Sequence, residues 1–392
     1  MNKRVVVLNQ FALPLSKGGG TRHVELFGQL PGWDSTVVAG SRHYFDQQPV
    51  ASEGILTVVP VTKYEGNGLG RVVNWGSYCL GAFFRGIRSP RPAVVYGSSP
   101  HLGAALIARF IASIRRVPFV LEIRDLWPQI LAEAGTLSES SSVYKVLKKL
   151  ERFLYEQADA IVVLAEGSIP PIEAMGIDRN KIHFIPNGAD PETFDVSSPR
   201  ELLREKHGFE HFTVVYAGAH GPANGLDLVL DAATAMKDSH PNVRFILYGD
   251  GVSKAELKAR ADSENLELVE FRDPVAKNAI PEIFKAADVG LHCLADVELF
   301  KSGVSPNKLY DYMAAALPAV TNTGGDTAAL IRHAGGGLAV ESDAIASGVI
   351  AMLEMSAEDR GKMGQLGRTY MAEERSRRAM AERLESLLNA LS

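Results

Sequence analysis

A repeated alternation of short strand-like runs and helical stretches constrains this chain most. In the first half, β-branched and apolar runs at 5–8, 36–39, 56–59, 93–96, 119–123, 160–164 and 182–185 are separated by segments of helical periodicity. Most of these runs are continuously apolar, as strands covered on both faces are, so a parallel sheet with crossover helices follows. The second half repeats the plan at 212–217, 243–248, 266–271, 289–293 and 318–321. The expected fold is therefore α/β, with two Rossmann-like doubly wound domains in tandem. The length of 392 residues agrees, since it strains one core and fits two of about 190 residues each. The turn signal Pro186-Asn187-Gly188-Ala189-Asp190-Pro191 marks a hinge. The expected domains are 1–190 and 200–372, with 373–392 a charged amphipathic helix that packs back on the first domain.

Composition excludes several classes. With 22% charged and 46% hydrophobic residues the chain is an ordinary globular one. Its two cysteines, Cys79 and Cys293, fall in opposite halves without metal-ligand spacing, so a reducing compartment and no zinc site are expected. The apolar run after the basic start is too short for a secretory signal. No segment approaches the roughly 20 apolar residues of a membrane span. A cytoplasmic protein, held peripherally to the inner face of the cell membrane, is the expectation.

The net charge of −5 hides an asymmetry: residues 1–190 carry 20 Lys and Arg against 16 Asp and Glu, and residues 191–392 carry 21 against 30. Between Arg71 and Leu121 stand seven arginines and no acid. The stretch 71–88 has helical spacing and includes Trp75, Phe83 and Phe84. It suits either a core-facing helix or an interfacial helix on an anionic membrane, with residues 71–116 as the contact. Nucleic acid is not an expected partner, because no recognition motif is present and the net charge is negative.

Two glycine-rich loops follow the first strand of each half. Gly18-Gly19-Gly20 precedes a helical pattern, and three glycines at a helix start let backbone amides approach a phosphate. A surface loop would read the same way. Gly218-Ala219-His220-Gly221-Pro222-Ala223-Asn224-Gly225 occupies the matching place in the second half, where open α/β sheets bind ligands. Further on, Ser305-Pro306-Asn307-Lys308-Leu309-Tyr310-Asp311 reads as a loop entering a helix, with Ser305 as N-cap and Pro306 in the first turn. Lys308 would then oppose the helix dipole unless an anion offsets it. Lys308 suits a diphosphate and Asp311 ribose hydroxyls, while a plain surface pair remains the alternative.

Together these residues resemble family 4 of the GT-B glycosyltransferases, over essentially the whole chain. Ile185-Pro186-Asn187-Gly188-Ala189-Asp190 is similar to the family's hinge segment, Tyr216-Ala217-Gly218 to its motif before the diphosphate loop, and Met313-Ala314-Ala315-Ala316-Leu317-Pro318 to its MAxGxP. Arg124-Asp125-Leu126-Trp127-Pro128 resembles a strand end of the bacterial O-antigen and exopolysaccharide branch of the fucosamine-transferase type. The resemblance implies two domains facing across a cleft and retention of anomeric configuration. It implies a nucleotide diphosphate donor, UDP-linked, carrying an N-acetylated hexosamine or deoxyhexosamine. The acceptor it implies is a lipid-linked or lipopolysaccharide saccharide.

Two departures matter. The family's E-x7-E ends at Asp311, so its first Glu falls at Gly303, and two diphosphate cations correspond to Ala219 and Asn224. The expected donor set is thus Gly18, Gly19, Gly20, Gly218, His220, Asn224, Arg272, Lys308 and Asp311. Asp125, Lys308 and Arg124 are expected at the reaction centre, and Arg22 and His101 at the acceptor. Arg124 is no general base, because guanidinium stays protonated. No cofactor is expected, and no metal, since no DxD-type carboxylate pair follows a strand. A sugar-nucleotide 2-epimerase and a non-catalytic binding partner share this architecture and stay open.

Overall fold

The computed structural model describes residues 2–392 except 17–19, 45, 67, 134, 298–299 and 301–303. The chain folds into two compact units, Met1–Asn187 with Arg377–Ser392, and Gly188–Ser376. Each unit is built on one parallel sheet.

The first sheet holds β1 (Lys3–Leu8), β2 (Trp33–Gly40), β3 (Leu56–Val59), β4 (Val94–Ser98), β5 (Phe119–Ile123), β6 (Ala160–Val163) and β7 (Ile182–Phe184), in the order β3-β2-β1-β4-β5-β6-β7. The order reverses at β1, which pairs in parallel with β2 and with β4. Such a switch point opens a crevice at the carboxyl ends of the strands. One face of the sheet is covered by helices Leu69–Arg88, Leu102–Arg115 and Ser142–Gln157, which bury Tyr78, Ile111 and Leu154 against it. The other face is covered by helices Arg22–Phe27 and Arg377–Leu391. In the latter, Met380, Leu384, Leu387 and Leu388 recur at helical spacing and are buried, and Arg377 Nε meets Glu25 Oε2 at 2.9 Å.

The second sheet holds β8 (Phe212–Ala217), β9 (Val243–Tyr248), β10 (Val269–Arg272), β11 (Val289–His292), β12 (Ala319–Thr321) and β13 (Gly337–Ala339), all parallel, in the order β10-β9-β8-β11-β12-β13. The edge strand β13 escapes the sequence pattern because it is three residues long and follows Gly335-Gly336. The helix expected over 373–392 runs from Arg377 to Leu391; a separate helix, Ala357–Glu374, precedes it, and the break between them is where the chain re-enters the first unit.

Candidate functional site

Within the first unit, the carboxyl ends of β1 to β5 frame a cavity of about 870 Å³. Its walls combine aromatic side chains (Phe11, Tyr44, Tyr64) with Lys63, Arg71, Arg124 and Asp125. Phe11 and Tyr44 meet edge to face at 6.1 Å, and Arg71 lies over the Tyr64 ring at 5.9 Å. Such a mixture of ring faces and charged groups suits a ligand with apolar faces and polar edges. The Asp125 side chain is open to the cavity but ringed by protein. Desolvation raises its carboxyl pKa, and neighbouring Arg124 pulls the other way.

Beneath this wall lies a buried charge network that sequence reading missed. Glu122, the single polar residue of β5, accepts from Arg22 Nε at 3.1 Å, His23 Nε2 at 2.8 Å and Tyr96 Oη at 2.7 Å. Burial alone would raise the Glu122 pKa. The charges of Arg22, His23 and Arg124 outweigh it and hold the carboxyl well below its ordinary range. Burial in turn lowers the His23 pKa, and the Glu122 carboxylate pulls it the other way. Arg22 also donates to the carbonyls of Ile185 at 2.6 Å and Pro186 at 2.8 Å, which fastens the start of helix Arg22–Phe27 to the chain leaving β7. A carboxylate inside the apolar run 119–123 was the available signal.

Within the second unit, the site forms where β8 and β11 end. Gly218 has Lys308 so close that a Cβ would stand 2.1 Å from Cε, so a side chain there would push the lysine from its place over the loop. Gly249, with φ +144°, lets the β9 end pass the Gly218 carbonyl, which a Cβ would meet at 1.8 Å. Lys308 Nζ donates to Asn224 Oδ1 at 3.3 Å and lies 5.1 Å over the Tyr216 ring. Among the described residues no carboxylate closes an ion pair with this ammonium, and desolvation lowers its pKa. His220 is fully buried beside it, with neither ring nitrogen hydrogen-bonded. Burial, then Lys254, lowers the His220 pKa. A desolvated cation in the first turn of helix Asn307–Ala314 opposes the helix dipole, and an anion there would offset both costs.

The other expected residues fall in the following places. Arg22 and His101 do not line the first cavity. Arg22 is spent on Glu122 and the β7 exit. His101 caps helix Leu102–Arg115, its Nδ1 accepting from the Ala104 amide at 3.3 Å while its ring stacks on Trp75 at 5.3 Å. Burial holds its pKa at about 3. Arg272 is committed as well: it meets Glu270 at 2.5 Å, and donates to the Tyr248 hydroxyl and the His207 carbonyl at 2.8 Å each. Ser305 is not an N-cap, because helix Asn307–Ala314 begins after Pro306 and the buried Ser305 hydroxyl has no partner. Gly20 lines the first-unit cavity, and Asp311 sits half-buried one turn after Lys308. Gly18, Gly19 and Gly303 lie outside the described residues. Tyr44, Lys63 and Tyr64 were missed because they come from irregular connections after β2 and β3, where no periodicity marks them.

Comparison with known proteins agrees with this architecture. Residues 22–188 match the family model described as glycosyl transferase 4-like domain, and residues 211–355 match glycosyl transferases group 1. The solved structure of Anabaena HepE in complex with UDP superposes with a TM-score of 0.72 at 16% identity, covering all of both chains. This is the GT-B glycosyltransferase fold. The structure of WaaG, a glycosyltransferase involved in lipopolysaccharide biosynthesis, gives 0.72 at 17% identity over 98% of this chain and 99% of that one. In sequence, this GT-B chain is 30% identical over 230 residues to the probable glycosyltransferase WbjE of Pseudomonas aeruginosa. That match covers 55% of this chain and 54% of WbjE, so it spans about half the relative's length.

Proposed function

We propose that the chain is a retaining, metal-independent glycosyltransferase. It moves a hexosamine or deoxyhexosamine from a UDP-sugar to a lipid-linked or lipopolysaccharide-type saccharide, working at the inner face of the cell membrane. The observation that carries the reading is Lys308, an ammonium without a carboxylate ion-pair partner among the described residues, held over Gly218 beside the unpartnered ring of His220. That arrangement suits a diphosphate. HepE, of the same fold, was solved with UDP and with UDP-glucose.

In the proposed reaction the bond between the sugar's anomeric carbon and the diphosphate oxygen breaks. The acceptor hydroxyl oxygen bonds to that carbon from the same face, and its proton passes to the departing diphosphate oxygen. No protein nucleophile is needed. Lys308 and the loop amides after Gly218 stabilise the charge growing on the leaving group. Asp125, Arg124 and the aromatic walls of the first-unit cavity hold and orient the acceptor.

Incubation with labelled UDP-sugars and a bacterial lipid extract tests this. Label transferred to lipid supports the reading. Isomerised donor would assign a 2-epimerase, and unchanged donor that still binds would leave a non-catalytic partner.

A further inference from the structure

The three helices that cover one face of the first sheet form a continuous layer whose outer surface is unusual in the same way on each helix. On helix Leu69–Arg88 the buried stripe is Asn74, Tyr78, Ala82 and Gly86, and the opposite side exposes Leu69, Val73, Leu80 and Phe84 at helical spacing. Helix Leu102–Arg115 exposes Phe110 and Ile114. Helix Ser142–Gln157, which carried no sequence signal for a surface role, exposes Val143, Val146 and Phe153, with Val146 64% open to solvent. A solvated helix face has no reason to present large apolar side chains in register on three neighbours.

The charge on the same layer has one sign. The stretches 69–116 and 142–157 carry eleven Lys and Arg against two Glu. Both glutamates are already matched: Glu151 meets Lys148 at 2.7 Å and Glu156 meets Arg152 at 2.8 Å. Exposed Arg85, Arg88, Arg116, Lys145 and Lys149 flank the apolar stripes. Apolar groups at the centre and cations at the flanks match a bilayer with anionic headgroups, in which the stripes enter the acyl boundary and the cations stay at the phosphates.

We propose that this whole three-helix face, with helix Ser142–Gln157 as a full member, docks the chain on an anionic lipid surface. The proposal rests on the reading of a transferase that serves a lipid-borne acceptor, and it names the surface by which that acceptor is reached. Arg71 belongs both to the first helix of the layer and to the wall of the first-unit cavity.

Flotation with vesicles tests it without depending on turnover. The wild-type chain is mixed with phosphatidylcholine vesicles containing 30% phosphatidylglycerol, and with pure phosphatidylcholine, at low and high salt. Two triple variants are compared with it, Lys145→Gln/Lys149→Gln/Phe153→Gln and Leu80→Gln/Phe84→Gln/Arg88→Gln. Binding only to anionic vesicles, weaker at high salt and at least about tenfold weaker in each variant, is the expected result, because each basic residue near the surface contributes separately. A far-ultraviolet circular dichroism spectrum and a thermal unfolding profile like those of wild type, both of which report on the first unit, show that the two variants are folded. Three outcomes overturn the proposal: wild type that does not float with anionic vesicles, a 142–157 variant that floats as wild type does, or a wild-type dimer in solution that the variants dissociate, since the face would then join two copies. Flotation without sugar transfer would defeat the transferase reading alone, and transfer to a detergent-dispersed acceptor without flotation would defeat the docking alone.

Discussion

Replacing Lys308 by Met should give two effects of opposite sign. Met fills the same volume over Gly218 and Tyr216 but brings no charge into a site where burial already disfavours it. Because the folded pKa of Lys308 is lowered, the unfolded chain holds its proton more tightly. The wild type therefore gains stability as pH rises from the folded value toward the ordinary lysine value, and the variant loses that alkaline gain. At neutral pH the unliganded variant should be as stable as wild type or more so. Its response to UDP should collapse. A hydrogen bond to a charged group contributes about 1.5–3 kcal/mol, so the dissociation constant should rise roughly 10- to 150-fold. At a UDP concentration about 100 times the wild-type constant, wild type gains about 2.7 kcal/mol, whereas a variant weakened about 100-fold gains only about 0.4 kcal/mol. For a domain of this size the melting temperature then rises by about 5–11 °C for wild type and by no more than about 2 °C for the variant. Thermal unfolding with and without UDP measures both. A variant that keeps the full UDP shift, or that is destabilised by more than about 1 kcal/mol without ligand, would show that Lys308 is structural.

Other expectations follow from the same geometry. Glu122→Gln should cost about 3–5 kcal/mol in urea unfolding, since Arg22 is left buried without its counter-charge. In the wild type the contribution of Glu122 is full above the ordinary carboxylate range and is lost as pH falls through its depressed folded value. Asp125→Asn should lower kcat while leaving UDP binding intact, and should remove the acid limb that the raised carboxyl pKa gives the rate profile; an unchanged profile would place Asp125 outside the reaction. Asp311→Asn should raise the donor KM by about tenfold or more, as loss of hydrogen bonds to a charged acceptor requires. Discrimination against a 2′-deoxyribose donor should fall with it, and kinetics with the two donors decide the point.

The fold was legible because both sheets are parallel and most of their strands are buried, so that these read as short apolar runs bounded by helical periodicity; the edge strand β10, with Glu270 and Arg272, is partly exposed. The site was legible only where backbone chemistry demanded a residue type. Gly218 and Lys308 stand out because a glycine at a strand end and a cation at a helix start each need a reason. Arg22, His101 and Arg272 were harder to read, because a charged or imidazole side chain near a strand end has the same appearance whether it meets a ligand or an internal partner. In each of them the internal partners, the Glu122 carboxylate, the Ala104 amide and the Glu270 carboxylate, came from the pairing of segments or from the caps that formed. The cavity-lining Tyr44, Lys63 and Tyr64 were silent for a related reason, since irregular connections carry no period by which their direction could be read.

The first unit is completed by residues 377–391, which bury Met380, Leu384 and Leu388 on the face that also holds helix Arg22–Phe27. During synthesis the ribosome therefore produces all seven strands of the first sheet long before the helix that seals one side of it. The second unit, encoded in a single uninterrupted stretch, can reach its final form earlier than the unit that precedes it. Until residue 391 has emerged, the nascent chain exposes an apolar flank, and a chaperone has a defined window in which to hold it. A stop codon shortly after residue 376 would thus impair the half of the protein that was translated first.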